Sequence, residues 1–129
     1  EGGQTNEFRP LILVAEDDDS NFKLIKAIIG KKCDIQWAKN GEEIVALFKE
    51  YGNEAKAILM DIKMPVMDGI EALKEIRRHT TQLPVIMQTA YAFDTDRRIA
   101  EEAGCNGFIT KPVMPRELKM YLDMSLKKA

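Results

Sequence analysis

Five short apolar runs alternate with five longer, amphipathic stretches along this chain, and that alternation permits few folds. The runs are Leu11–Ala15 and residues 33–39, 57–61, 84–88 and 106–110. The first is too short for a helix and does not alternate, the pattern of a parallel strand buried on both faces. Residues 33–39 set Cys33, Ile35 and Trp37 against Asp34 and Gln36, which predicts a less buried strand at a sheet edge. Between the runs, apolar residues recur at helical spacing. They are Phe22, Ile25, Ile28 and Ile29 on the first helix, with Asp19 or Ser20 as its cap and Gly30 near its end. Ile44, Leu47 and Phe48 serve residues 42–51, after an Asn40-Gly41 turn and before Gly52-Asn53. Ile70, Leu73 and Ile76 serve residues 68–79, where Asp68 suits the helix dipole. Leu118, Leu122 and Met124 to Leu126 serve residues 114–126. Residues 95–103, closed by Gly104, form a polar helix with a thin apolar face, for which low local stability is expected. Strict alternation of this kind predicts an α/β layer fold, a parallel sheet doubly wound by helices on both faces. A ligand site is then expected beyond the carboxyl ends of the strands.

Composition narrows the classes. At 129 residues, 45% apolar and 31% charged, the chain is one globular domain with a sizeable core. A net charge of −2 implies no basic face for nucleic acid. No stretch approaches a membrane span, and no signal peptide is visible. The two cysteines, Cys33 and Cys105, lack metal or redox spacing, and a single histidine, His79, excludes sites built from several imidazoles. His79 is expected to be solvated near a helix end. A cytoplasmic setting fits. Residues 1–10 are polar, contain Gly2-Gly3 and lack an initiator methionine; they are expected to be a linker or tail before a domain at 11–127.

The strand ends carry the chemistry. Glu16 and Asp17 follow strand one, Asp61 follows strand three, Thr89 strand four and Lys111 strand five. Each has a bland explanation: a helix-capping acid run, a strand-end hydroxyl, a solvated lysine. Together at one edge they make three carboxylates, a hydroxyl and an ammonium. Clustered acids raise each other's pKa or demand a cation. An all-oxygen donor set suits Mg2+, with Mn2+ as the alternative. Acid, cation, lysine and hydroxyl suit an incoming phosphoryl group, and a carboxylate can attack it to form an acyl phosphate. Asp61, single and central, is the natural acceptor.

These residues carry a resemblance. The Glu16-Asp17 pair, the block Asp61-x-x-Met64-Pro65-x-x-Asp68-Gly69, Thr89-Ala90 and Lys111-Pro112 resemble a response regulator receiver domain of two-component (His-Asp phosphorelay) signalling, over residues 11–126. The resemblance implies the flavodoxin-like strand order 2-1-3-4-5. It implies Asp61 as phosphoacceptor, Glu16 and Asp17 as Mg2+ acids and the backbone carbonyl of Lys63 as a further ligand. Lys111 would contact the phosphoryl group, with its bond to Pro112 cis. Thr89 and Phe108 would be switch residues, and Lys63 and Tyr91 would flank the acceptor and tune water access. Phe108 lacks the phenol hydroxyl that a hydrogen-bonded aromatic switch would use. An acid pair beginning with Glu resembles the receivers of hybrid sensor histidine kinases. The implied partners are a histidine kinase or histidine phosphotransfer domain upstream and a protein partner or attached domain downstream. A homodimer stays open, with no direct nucleic-acid or membrane contact, although a parent chain could be membrane-anchored. The implied activity is self-phosphorylation from a donor with slow self-hydrolysis, not a turnover enzyme.

Three other functions are weighed. A degenerate receiver used only for docking would be expected to lose Asp61 or Lys111. A phosphatase with an aspartate nucleophile wants a second acid two residues on, where Lys63 stands. A flavin carrier of similar fold wants a hydroxyl- and glycine-rich loop after strand one, where Glu16-Asp17-Asp18-Asp19 would repel a phosphate.

Overall fold

A computed structural model describes residues 9–90 and 94–127. The elements are β1 (Leu11–Ala15), α1 (Asp19–Ile29), β2 (Asp34–Ala38), α2 (Gly41–Tyr51), β3 (Ala55–Asp61), α3 (Gly69–Arg77), β4 (Val85–Thr89), α4 (Asp94–Ala103), β5 (Gly107–Thr110) and α5 (Pro115–Lys127). All strand pairs are parallel, in the order β2-β1-β3-β4-β5. The alternating strand β2 is an edge, as its pattern predicts. Alternate residues of each strand feed opposite faces. On one face Ile12, Val14, Ala57, Leu59, Ile86 and Ile109 pack against Phe22, Ile25 and Ile29 of α1 and Leu118 and Leu122 of α5. On the other, Leu13, Ile58, Met60, Met87 and Phe108 pack against Ile44 of α2, Leu73 and Ile76 of α3 and Ala100 of α4.

Several boundaries differ from the sequence-based expectation. The cap of α1 is Asp18, whose carboxylate accepts from the Ser20 N–H at 3.0 Å. Asn40 is a cap rather than a turn residue; its side chain accepts from the Glu43 N–H at 2.8 Å, so α2 starts at Gly41. β3 begins at Ala55 because Leu11 pairs with it, although its polar surroundings hide the strand start. On α5 the 118–122 spacing continues to Ser125, which is buried and donates to the Tyr121 carbonyl, while Met124 is exposed rather than inward. Arg9 binds back to the first βα unit: its guanidinium donates to the carbonyls of Gly30, Lys31 and Cys33 and to Asp34.

The loop after β3 is held by close approach. Asp68 caps α3 in a reciprocal capping box with Glu71. The Gly69 N–H donates to the Ile62 carbonyl at 2.8 Å. A Cβ at residue 69 would lie 2.1 Å from the Asp61 carbonyl oxygen, so only glycine lets α3 start this close to the strand end. Within the same loop Val66 has φ 70° and is exposed. A β-branched residue in the left-handed region is strained by roughly 1–2 kcal/mol. Val66→Asn should therefore raise stability by about 1 kcal/mol, seen as a thermal midpoint higher by roughly 4 °C. An unchanged or lower midpoint would show that no strain is stored there.

Candidate functional site

Sheet register sets out the site before any side chain is considered. Ala15 pairs with Met60, so Glu16 and Asp61 follow side by side on β1 and β3. Asp61 pairs with Gln88 on β4, and Gln88 with Ile109 on β5. Lys111 lies two residues past Ile109. By strand alternation Glu16, Asp61, Gln88 and Lys111 all belong to the face covered by α1 and α5. Thr89 and Phe108 belong to the opposite face.

The side chains converge accordingly. The Lys111 ammonium donates to Asp61 Oδ2 at 2.9 Å and lies 3.2 and 3.3 Å from the two Glu16 oxygens. Asp61 is 3% exposed and Glu16 fully buried. Asp17 is exposed, yet Glu16, Asp17 and Asp61 each offer an oxygen within 4.8 Å of the others. The Lys63 N–H donates to Asp61 Oδ1 at 3.3 Å, while the Lys63 side chain points to solvent. The Trp37 indole donates to the Glu16 carbonyl at 2.8 Å and stacks on Phe22 with ring centroids 3.9 Å apart. Thr89 is buried at the end of β4, one residue past the row of Glu16, Asp61 and Gln88. Phe108 is buried apart from the acids, with the Arg97 guanidinium 5.5 Å from its ring centre. The Lys111–Pro112 bond is cis. Tyr91 lies outside the described residues.

Two contributors are absent from the sequence-based list. The Gln88 side-chain amide donates to Glu16 Oε1 at 3.1 Å, and the Asn21 amide donates to the same oxygen and to Gln88 Oε1, the latter at 3.2 Å. The available signal was a glutamine inside an apolar, fully buried strand.

Burial pushes the Asp61 carboxyl up to about 7; the nearby Glu16 charge adds to this and Lys111 opposes it. Burial pulls Lys111 down, but its hydrogen bond and charge attraction to Asp61, and then to Glu16, more than offset that, leaving it above its ordinary value. Once Asp61 gives up its proton, three carboxylates against one ammonium leave excess negative charge in a pocket of oxygen donors. That donor set fits a hard divalent cation such as Mg2+.

Comparisons with known proteins agree with this geometry. Residues 12–123 match the family described as response regulator receiver domain. The chain is 35% identical over 125 residues to hybrid signal transduction histidine kinase I of Dictyostelium discoideum, covering 91% of this chain and 7% of that protein. It is 35% identical over 118 residues to the transcriptional regulatory protein SrrA of Staphylococcus aureus, covering 91% and 48%. It thus spans less than half of either relative. The receiver domain of a sensor histidine kinase from Pseudomonas aeruginosa, solved with a magnesium ion coordinated in its active site cleft, superposes with a TM-score of 0.84 at 30% identity, over 93% of this chain and 99% of that one. Among the described residues no helix is long and apolar enough to cross a membrane.

The raised Asp61 carboxyl has a measurable consequence. With its carboxyl raised to about 7, Asp61 in the folded, metal-free protein is expected to keep, between about pH 4 and pH 7, a proton that the unfolded chain has released. This group's contribution to stability therefore falls as pH rises through that interval. In EDTA, Asp61→Asn should unfold at a higher temperature than the wild type at pH 8, with the gap closing toward pH 4. A gap independent of pH would mean that Asp61 is not held protonated.

Proposed function

Since this chain belongs to the response regulator receiver domain family, we propose that Asp61 takes a phosphoryl group from a phosphohistidine and that the change is read by a partner through α4, β5 and α5. The chain is a receiver domain of phosphorelay signalling, with the acidic pocket typical of a phosphoacceptor aspartate and of Mg2+ binding. The observation that carries the residue assignment is the placement of Asp61, buried, beside Glu16 and 2.9 Å from the Lys111 ammonium.

The cation would be held by Glu16, Asp17, Asp61 and the backbone carbonyl of Lys63, with Mn2+ as an alternative to Mg2+. When bound it supplies positive charge to the phosphoryl oxygens and to the acids around them. An oxygen of Asp61 attacks phosphorus, the new O–P bond forms as the P–N bond breaks, and the leaving imidazole takes up a proton. Lys111 then moves its ammonium from the Asp61 carboxylate to a phosphoryl oxygen, which keeps the developing charge paired in a buried site. The Thr89 hydroxyl, from the next strand, donates to another. Its movement toward Asp61 vacates space on the face it shares with Phe108, and Phe108 repacks beneath Arg97. That carries the change to α4 and β5. Water later cleaves the acyl phosphate slowly, returning the carboxylate and inorganic phosphate; Lys63, next but one to the acceptor in the chain, tunes that access.

The upstream partner is a histidine kinase or histidine phosphotransfer domain. The downstream one is a protein partner, an attached domain or a second copy. The similarity to a hybrid kinase and the Glu16-Asp17 pair favour a receiver within a hybrid histidine kinase, on the cytoplasmic side, its domain at residues 11–127 with Arg9 and Pro10 held against it. A docking-only receiver is disfavoured by the intact pairing of Asp61 with Lys111. A phosphatase is disfavoured by the exposed Lys63 at the position where it would need an acid.

With acetyl phosphate and Mg2+, the wild type should gain a single phosphoryl group by mass spectrometry, and Asp61→Asn none. Lys111→Ala should slow incorporation about 10²-fold. Phosphorylation of Asp61→Asn at the wild-type rate would remove Asp61 as acceptor.

A further inference from the structure

Resting on the metal assignment above, we infer that Gln88 and Asn21 are positioning residues for divalent-cation binding: their side-chain amides hold Glu16 in place without neutralising it. Gln88 is fully buried in β4 among Val85, Ile86 and Met87. A buried amide costs free energy unless its groups are bonded. Here both ends are used: Nε2 donates to Glu16 Oε1 at 3.1 Å, and Oε1 accepts from Asn21 at 3.2 Å. Asn21, on the first turn of α1, also donates to Glu16 Oε1. The Asp18 N–H donates to the other oxygen at 3.1 Å. Glu16 therefore has three neutral donors besides the Lys111 ammonium.

That division matters twice. Neutral donors fix the carboxylate's orientation and leave its charge to attract a cation, whereas another ammonium or guanidinium would compete with the metal. They also keep Glu16 partnered when Lys111 turns to a phosphoryl oxygen, so the lysine's departure leaves no buried carboxylate bare. Groups that orient a metal-binding residue in this way commonly contribute ten- to a hundredfold in affinity.

The test is calorimetric titration with Mg2+ alone, on wild type, Gln88→Met, Asn21→Ala and the double variant, with thermal unfolding in EDTA as a folding control. Methionine keeps the length of Gln88 and removes its donor; Asn21 is partly exposed, so its truncation is tolerated should the core variant misfold. Each single variant should weaken Mg2+ by about tenfold. The double variant should lose less than the product of the two, because the amides also bond each other. Phosphorylation from acetyl phosphate should be slow at low Mg2+ and return to within twofold of wild type at saturating Mg2+, which a role at the chemical step or in folding alone would not produce. Variants that bind Mg2+ within twofold of wild type, or that stay slow at saturation, overturn the inference. A wild type that binds no Mg2+ instead overturns the metal assignment itself, and this inference with it.

Discussion

The ion cluster of Lys111 with Asp61 and Glu16 is the constraint to which the rest of the structure answers. Desolvating two carboxylates and an ammonium costs several kcal/mol per ion, and an apolar cluster of similar volume would commonly be as stable or more so. Such a cluster makes sense as stored charge for the cation and phosphoryl group proposed above, and the fold supports it in two ways. Beneath it lie fully buried strands, with Ile12, Val14, Leu59 and Ile86 packed on α1 and α5. Around it, backbone N–H groups of Asp18 and Lys63 and the amides of Asn21 and Gln88 complete the oxygen valences. Among the described residues no buried side-chain polar atom lacks a partner.

Strand alternation divides the work between two faces. The charged row faces α1 and α5, and the residues proposed to switch, Thr89 and Phe108, face α3 and α4. In the mechanism proposed above, chemistry on one side reaches the other through Thr89, adjacent in chain to Gln88. α4 is suited to respond. Among its described side chains Ala100 is the fully buried one, Ile99 is 40% exposed, and Arg97 rests over the Phe108 ring. Its far end is tied down where Arg77 of α3 donates to the Gly104 carbonyl and to Asn106.

How much of this was legible follows physical lines. The fold class could be read because five buried parallel strands leave five unmistakable apolar runs, and because β2, at the edge, alternates. Asp61, Glu16, Asp17, Thr89 and Lys111 could be picked out because each ends its strand, a one-dimensional signal. Gln88 shows in the sequence only as a polar residue inside an apolar strand, because its meaning depends on Glu16 being across β3 from it, a fact of strand order rather than spacing. Asn21 looked like an ordinary helix residue for the same reason. The start of β3 at Ala55 was hidden by the polar residues Glu54 and Lys56, and only pairing with Leu11 makes it a strand. Ser125 inside and Met124 outside reverse the hydrophobicity order because helical spacing from Leu118 and Leu122 outranks it.

The tryptophan at residue 37 closes a different circuit. It is the only one in the chain, and its indole N–H is bonded to the carbonyl of Glu16 while its ring lies flat against Phe22, with the Lys39 ammonium 4.8 Å from the ring centre. Indole emission depends on the field at the ring and on what its N–H touches. The chain thus carries a single tryptophan, selectively excited at the red edge of protein absorption and wired to the backbone of one of its acids, an optical gauge of that strand end that needs no label.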